Sequence, residues 1–232
     1  KYETNHIYIF HNIGSSFPVI RYAALFNYDT IFCVGPHHRI EIKMQEKLYN
    51  LNEKKLLDFG YYKLELIKKL FDEYQARNHH KIRKNSKNRI LIAPTWGDNS
   101  ILNYCGIKLI QILLSIGSVV IVRPHPMTFK KSEKLIKEII KNFSHNHNFV
   151  LEDNISSTDA FYNSDILLTD WSGVAYEYAF GTGRPILFID VPQKIVNPRY
   201  KELGLDPVDI AIRHKIGKVL KLENIDEVND YV

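Results

Sequence analysis

Residues 164–190 read SDILLTDWSGVAYEYAFGTGRPILFID, and the order of these residues decides the fold. The run 166–169 is apolar or β-branched and bounded by polar residues, the pattern of a short strand buried on both faces. The polar turn Asp170-Trp171-Ser172-Gly173 follows, then an apolar helical stretch over 174–180. After Gly181 to Pro185 a second buried strand is predicted over 186–189. A strand that ends in such a turn and enters a helix gathers hydroxyls and unpaired backbone N–H groups at one point. Helix N-termini also carry a partial positive charge, so the unit attracts phosphate. A nucleotide or a phosphate-bearing substrate is the expectation.

Outward from this unit the strand-then-helix pattern repeats. Strands are predicted at 7–10, 30–34, 55–59, 89–93, 119–123 and 149–151. Helices are predicted at 36–49, where Ile40, Met44 and Leu48 recur at four-residue spacing, and at 62–74, where Leu64, Ile67, Leu70 and Phe71 share a stripe. Further helices are predicted at 100–115, 131–142 and 158–162, and residues 17–26 read as helical with Pro18 in the first turn. Helical segments near 200–204 and 216–220, and one after 225, complete the pattern. Short β-branched strands alternating with helices imply an α/β fold with parallel sheets and helices on both faces. The polar, basic segment 75–88 interrupts the alternation and places a domain boundary there. The expected organisation is an N-terminal Rossmann-like domain over 1–75, a basic linker over 76–88 and a C-terminal nucleotide-binding Rossmann-like domain over 89–232. The chain starts at Lys1 without methionine and enters a strand-like run almost at once, so the N-terminal domain is expected to be incomplete.

Composition narrows the class. Hydrophobic residues make up 45% and charged residues 25% of 232 residues, an ordinary globular balance. The net charge is +5, with much of the excess in 77–89 and 130–141. Solvated faces are the plain reading of these runs. Attraction to phosphorylated acceptors or to an anionic membrane surface is the functional one. The runs lack interleaved aromatic residues and match no nucleic-acid module, so nucleic acid is not expected as a partner. Cys33 and Cys105 lie in apolar surroundings and read as buried thiols of a reducing compartment. No apolar run reaches the roughly 18 residues of a membrane span.

In parallel sheets, reactive groups lie beyond the carboxyl ends of strands, which selects candidates from many polar residues. Arg123-Pro124-His125-Pro126 follows the strand at 119: the guanidinium suits a bidentate grip on phosphate, and the prolines stiffen the loop carrying the imidazole. Its plain reading is a strand-end turn whose histidine bonds a carbonyl. His11 follows the first strand; a surface or core role is the plain reading, and proton transfer the functional one. Thr169, Ser172, Gly173 and Val174 are the candidate phosphate contacts, although Ser172 also reads simply as a helix cap. Thr95 and Trp96 could pack against a nucleotide, and Glu177 could reach a ribose hydroxyl or face solvent. Gly14-Ser15-Ser16 is a weak anion motif because no lysine follows it. His37-His38 is a poor metal site because adjacent residues point apart on a helix. His79-His80 falls in the basic linker and reads as solvated. No metal site is expected.

The run at 164–190 resembles the C-terminal motif of the CDP-glycerol glycerophosphotransferases, the teichoic-acid primase and polymerase family. APTW at 93–96 and RPHP at 123–126 are similar to that family's other landmarks, in the same order. YDTIFCVGPHH at 28–38 and DFGYYKLELI at 58–67 are similar to its acceptor-side domain. The resemblance implies a GT-B fold, two Rossmann-like domains facing a cleft, with no obligatory metal or other cofactor. It implies transfer of glycerol phosphate or a related alditol phosphate from a CDP-linked donor to a polyol-phosphate, glycan or lipid-linked acceptor in cell-surface polymer or capsule synthesis. By the same resemblance His11 is the base toward the acceptor hydroxyl. His125 and Arg123 contact the donor phosphate, and the Ser172 turn holds the diphosphate. A cytoplasmic enzyme, peripheral on the inner face of the plasma membrane, is the corresponding location. Four residues depart from the family pattern: Asn12 stands where glycine is frequent, Trp171 and Gly173 make Trp171-Ser172-Gly173 in place of Tyr-Ser-Ser, and Glu177 replaces an aspartate. The alternative is a GT-B sugar-nucleotide enzyme, either a glycosyltransferase or a nucleotide-sugar epimerase, and a third reading is a non-catalytic nucleotide-fold module.

Overall fold

A computed structural model describes residues 4–78, 87–154 and 158–232. The chain forms two compact α/β units. The first comprises the described residues up to Tyr62 together with Lys194–Ile212, and the second comprises those of Lys63–Gln193 with Arg213–Val232. Most of the predicted basic linker, and with it His79-His80, lies outside the described residues.

The first unit is built on three parallel strands, β1 (Ile7–Ile9), β2 (Thr30–Cys33) and β3 (Lys55–Asp58), in the order β1-β2-β3. Helix α1 (Pro36–Tyr49) makes the crossover from β2 to β3. Pro36 opens it, where a missing N–H costs nothing, and Asn50 closes it in the left-handed conformation with its N–H on Glu46 O. The apolar stripe predicted to face inward does not. Ile40, Met44 and Leu48 are exposed, while His38, Glu41, Ile42 and Glu46 are buried. The buried polar groups are satisfied: Glu46 accepts from Lys54 N at 2.8 Å, and Glu41 accepts from Ser16 N at 2.8 Å. Residues 17–26 form turns rather than the predicted helix, and Ala23 sits at φ 63, a conformation that stops any helix. Phe10, Leu25, Ile31, Cys33 and Ile42 form this unit's core.

The second unit carries α2 (Tyr62–Asn78, from Lys63 onward), β4 (Arg89–Ile92), α3 (Ile101–Ser115), β5 (Val119–Val122), α4 (Pro126–Lys131), α5 (Glu133–Phe143) and β6 (Phe149–Leu151). It continues with α6 (Asp159–Tyr162), β7 (Ile166–Thr169), α7 (Val174–Thr182), β8 (Ile186–Asp190) and β9 (Lys218–Lys221), and ends in 3-10 turns over Leu222–Tyr231. All six strands are parallel, in the order β6-β5-β4-β7-β8-β9. Numbered within the unit this is 3-2-1-4-5-6, the Rossmann order. β4 and β7 are therefore neighbours from which the chain winds in opposite directions, and their carboxyl ends form the switch point where such sheets bind ligands. One face of the sheet packs on Leu102, Leu109, Ile139 and Val228, the other on Ile67, Phe71, Phe161 and Tyr178.

Two expectations are corrected here. The segment 216–220 is not helical: α8 (Val208–Ile216) precedes it and β9 runs along β8. Gly217 makes this possible, because a Cβ there would meet Ile186 O. Helix α2, read from its sequence position as N-terminal, puts Ile67 and Phe71 into the core of the second unit. A Cβ on Gly181 of α7 would strike the Ile67 side chain, so the close approach of α2 to α7 requires glycine. Among the described residues no helix is long and apolar enough to cross a membrane, and no group of three or more His, Cys, Asp or Glu side chains could hold a metal ion.

Candidate functional site

The carboxyl ends of β4, β5 and β7 bring most of the predicted site residues together. Asp170, completely buried, joins the ends of β4 and β7. Its carboxylate accepts from Thr95 N at 2.8 Å and from Ile101 N at 3.0 Å. One side chain thus fastens the loop after β4 to the loop after β7 and caps α3, supplying an acceptor to an otherwise unpaired helix donor. The charge is expensive where it sits: burial raises the Asp170 pKa to about 6, against the lowering effect of its backbone hydrogen bonds. Thr169 is equally buried, and its hydroxyl donates to Ala93 O at 2.7 Å. That bond reinforces the same β4–β7 junction.

The turn after Asp170 stays accessible. Ser172 and Val174 are half-buried and Gly173 is exposed. The Ser172 hydroxyl is 3.5 Å from Val174 N, a long capping contact at the start of α7. A Cβ on Gly173 would meet nothing within 4 Å. The turn therefore presents its backbone to an open surface, as an anion site at a helix N-terminus requires. Trp171 is held back from that surface by its indole N–H, which donates to Val191 O at 2.7 Å.

At the end of β5, the Arg123 guanidinium lies 5.3 Å from the centre of the Phe161 ring. Burial lowers its pKa, while Glu152 and Glu177 act in the opposite sense. His125 caps α4, its Nδ1 accepting from Met127 N at 3.1 Å. A neutral imidazole that accepts at Nδ1 carries its proton on Nε2, so the remaining ring nitrogen is a donor. Trp96 lies 6.1 Å from His125 and 4.8 Å from the Lys131 ammonium, ring centre to ring or charge, which links the β4 and β5 loops.

His11 lies at the carboxyl end of β1 in the first unit and is exposed, with its carbonyl accepting from Tyr61 at 3.1 Å. The Gly14-Ser15-Ser16 run is no anion cradle. Ser15 N is taken by Asp209 at 2.9 Å and Ser16 N by Glu41 at 2.8 Å.

The sequence model described as CDP-glycerol:poly(glycerophosphate) glycerophosphotransferase matches residues 25–194. The chain belongs to this family. Among solved structures, the wall teichoic acid polymerase TagF is similar at 19% identity, over 88% of this chain and 53% of that one, with a TM-score of 0.47. A UDP-GlcNAc 2-epimerase from Methanocaldococcus jannaschii, solved with UDP-GlcNAc and UDP, is similar at 13% identity over 88% of this chain and 54% of that one, with a TM-score of 0.51. An alpha,alpha-trehalose-phosphate synthase (UDP-forming) from Burkholderia vietnamiensis is similar at 8% identity over 89% and 52%, with a TM-score of 0.49. This chain spans about half the length of those chains. The epimerase likeness supports the fold, a GT-B-like pair of parallel α/β units. No curated protein matches the chain.

In this glycerophosphotransferase-family chain, the residues that depart from the family pattern have distinct surroundings. Glu177 is buried and paired with Lys63 Nζ at 2.8 Å, rather than facing solvent. Lys63 was not among the sequence candidates. Its only signal is its place in the DFGYYKLELI segment. Trp171 stacks on the guanidinium of Arg213, 3.9 Å from its ring centre. Arg213 is buried, bonds Asp190 at 3.1 Å through Nη1, and leaves Nε and Nη2 buried without a hydrogen-bond partner. Nothing in the sequence pointed to Arg213, because the contact joins α8 to a turn 42 positions earlier (213 minus 171).

Proposed function

We propose that this protein transfers glycerol phosphate, or a related alditol phosphate, from a CDP-activated donor to an acceptor hydroxyl in cell-surface polymer synthesis. The acceptor oxygen attacks the glycerol-bearing phosphorus, a new P–O bond forms, the diphosphate bridge breaks and CMP leaves. His11 takes the proton of the acceptor hydroxyl. Arg123 and the Nε2–H of His125 bear on the donor phosphates, where charge builds on the bridging and non-bridging oxygens. The Ser172, Gly173 and Val174 turn receives the diphosphate, and Thr169 serves it by fixing the strand ends beneath. Thr95 and Trp96 flank the nucleotide, and Glu177 is assigned to its ribose. Acceptors of the polyol-phosphate, glycan or lipid-linked type fit this chemistry. The exposed lysines of α4 and α5, among them Lys130, Lys134, Lys137 and Lys141, favour an anionic membrane surface nearby.

The observation that supports this reading is the Asp170 junction, which fastens the end of β7, with the accessible helix N-terminus that follows it, to the end of β4, the strand next to the β5 end that carries Arg123 and His125. Ligand-dependent melting tests it. A ligand that binds only the native state at about 100 times its Kd stabilises by roughly 2.7 kcal/mol. For a chain of this size that is a rise of about 5–10 °C. CDP-glycerol and CMP are expected to give such a rise, and UDP-GlcNAc and UDP little. A larger shift with UDP-GlcNAc than with CDP-glycerol would move the protein to the sugar-nucleotide class. No shift with any nucleotide would favour a non-catalytic role.

A further inference from the structure

The loop after β1 is pinned by side chains to a degree that its size does not call for. Two of its carbonyls are held from the start of α1: Ile13 O by His37 Nε2 at 2.8 Å and Gly14 O by His38 Nε2 at 3.0 Å. The next two amides are held by carboxylates, Ser15 N by Asp209 of α8 and Ser16 N by Glu41 of α1. The Ser16 hydroxyl adds a second bond to Glu41 at 2.5 Å, and the Ser15 hydroxyl accepts from Val208 N at 2.8 Å. Gly14 has no side chain because a Cβ would strike the Asp209 carboxylate. Beside His11, the Asn12 side-chain oxygen is buried without a hydrogen-bond partner. A loop selected for stability alone would not leave that acceptor unpaired, whereas functional segments tolerate such a cost.

His38 is the centre of this arrangement. It is completely buried, and its Nδ1 accepts from Val34 N at 3.3 Å, so Nε2 carries the proton it gives to Gly14 O. Its ring also packs against Phe10, centre to centre at 3.8 Å. Phe10 immediately precedes His11, and Gly14 lies three positions after it. One imidazole thus meets the chain on both sides of His11, the Phe10 ring before it and the Gly14 carbonyl after it. An apolar residue would fill the space more cheaply, as Ile42 does one turn later, but could not hold the loop carbonyl.

We propose that His38 is a positioning residue for His11, fixing the strand end and loop that aim the His11 imidazole. This rests on the reading of His11 as the acceptor-side base. The test uses the intact protein with CDP-glycerol and compares H38F, H38Q, H11A and the double variant H11A/H38F. Phenylalanine keeps the ring and the packing on Phe10 but loses both hydrogen bonds. Glutamine can still donate to Gly14 O. Misplacing a catalytic group by about an ångström costs up to roughly 100-fold. H38F is therefore expected to lower kcat by about 10-fold to 100-fold while donor KM is unchanged, and H38Q to recover part of the loss. Because His38 acts through His11, H11A/H38F is expected to be no slower than H11A. An H38F enzyme with wild-type kcat beside an impaired H11A would overturn the positioning role alone, as would losses that multiply in the double variant. Wild-type turnover by H11A would overturn the base assignment, and this proposal with it. If H38F does not fold, the comparison of H38Q with H11A/H38Q gives the same decision.

Discussion

Asparagine in place of His125 is expected to lower turnover about 1,000-fold while moving the melting temperature by no more than a few degrees. The choice of asparagine separates two jobs that one ring performs. His125 Nδ1 caps α4 by accepting from Met127 N at 3.1 Å. Asparagine is among the best capping residues, so the helix start survives, whereas alanine would give up about 1 kcal/mol there. What asparagine cannot supply is an N–H at the far side of an imidazole. Removing one donor that stabilises transition-state charge costs typically about 100-fold to 1,000-fold, and removing a proton-transfer group up to about 10,000-fold. CMP release from CDP-glycerol is the measurement, with melting as the control. H125N turning over within about threefold of wild type would show that His125 only caps its helix, and the donor-phosphate assignment would be lost.

The fold was legible where local chemistry and burial point the same way. β4, β5, β7 and β8 are short β-branched runs between turn residues, and their sheet buries them on both faces, so no alternation was needed to recognise them. β9 escaped because KVLK is half polar and sits at the sheet edge, where a strand looks like the end of a helix. Residues 17–26 escaped because their buried apolar residues, Phe17 and Leu25 among them, are carried by turns rather than by one helical face; the left-handed Ala23 is a tertiary outcome with no sequence mark. Helix α1 shows the limit most clearly. Its apolar stripe at Ile40, Met44 and Leu48 is exposed, and the side it buries carries His38, Glu41 and Glu46. Those residues are buried because partners from other segments satisfy them, and partners distant in sequence are invisible to periodicity.

The site followed the same division. The strand-end rule located Arg123, His125, Thr95, Trp96 and the turn after β7, since it depends only on strands and chain order. It did not reveal that Thr169 bonds Ala93, that Glu177 pairs with Lys63, or that Arg213 backs Trp171. Each of these is a contact between residues distant in sequence, made among or behind the predicted site residues. In the sequence Asp170 stands only as the first residue of a polar turn. Its bonds to Thr95 N and Ile101 N instead make it the joint between two turns.

That joint leads to the largest expected effect on stability. Asp170→Asn preserves the shape of the side chain but offers one acceptor oxygen where the carboxylate offers two. Either Thr95 N or Ile101 N then faces an amide NH2, and a buried donor left unpaired costs about 1–3 kcal/mol. The repulsion between opposed donors adds to it, and removal of a buried charge offsets part. A net loss of about 2–3 kcal/mol is expected, or roughly 4–12 °C in melting temperature. On the proposed function, binding of CDP-glycerol should weaken as well, because Thr95 and Trp96 are no longer fastened to the turn after β7. The pH dependence gives a second check with a fixed sign. In the native protein the Asp170 pKa is about 6, above the ordinary 3.8, so the folded state takes up this proton before the unfolded chain does. Its contribution to stability is therefore fully present below about pH 4, falls as the pH rises to about 6, and is level above that. In the first unit His38 contributes with the opposite slope: burial lowers its pKa from 6.5 to about 4, so its share is lost on acidification through that window. Both chains contain His38, so subtracting the asparagine variant from the wild type leaves the Asp170 profile. Denaturant melts from pH 4 to 8 measure that difference. If the variant melts within a degree of wild type, or if the difference rises with pH between 4 and 6, Asp170 is not the buried, charge-strained clasp that holds the two strand ends together.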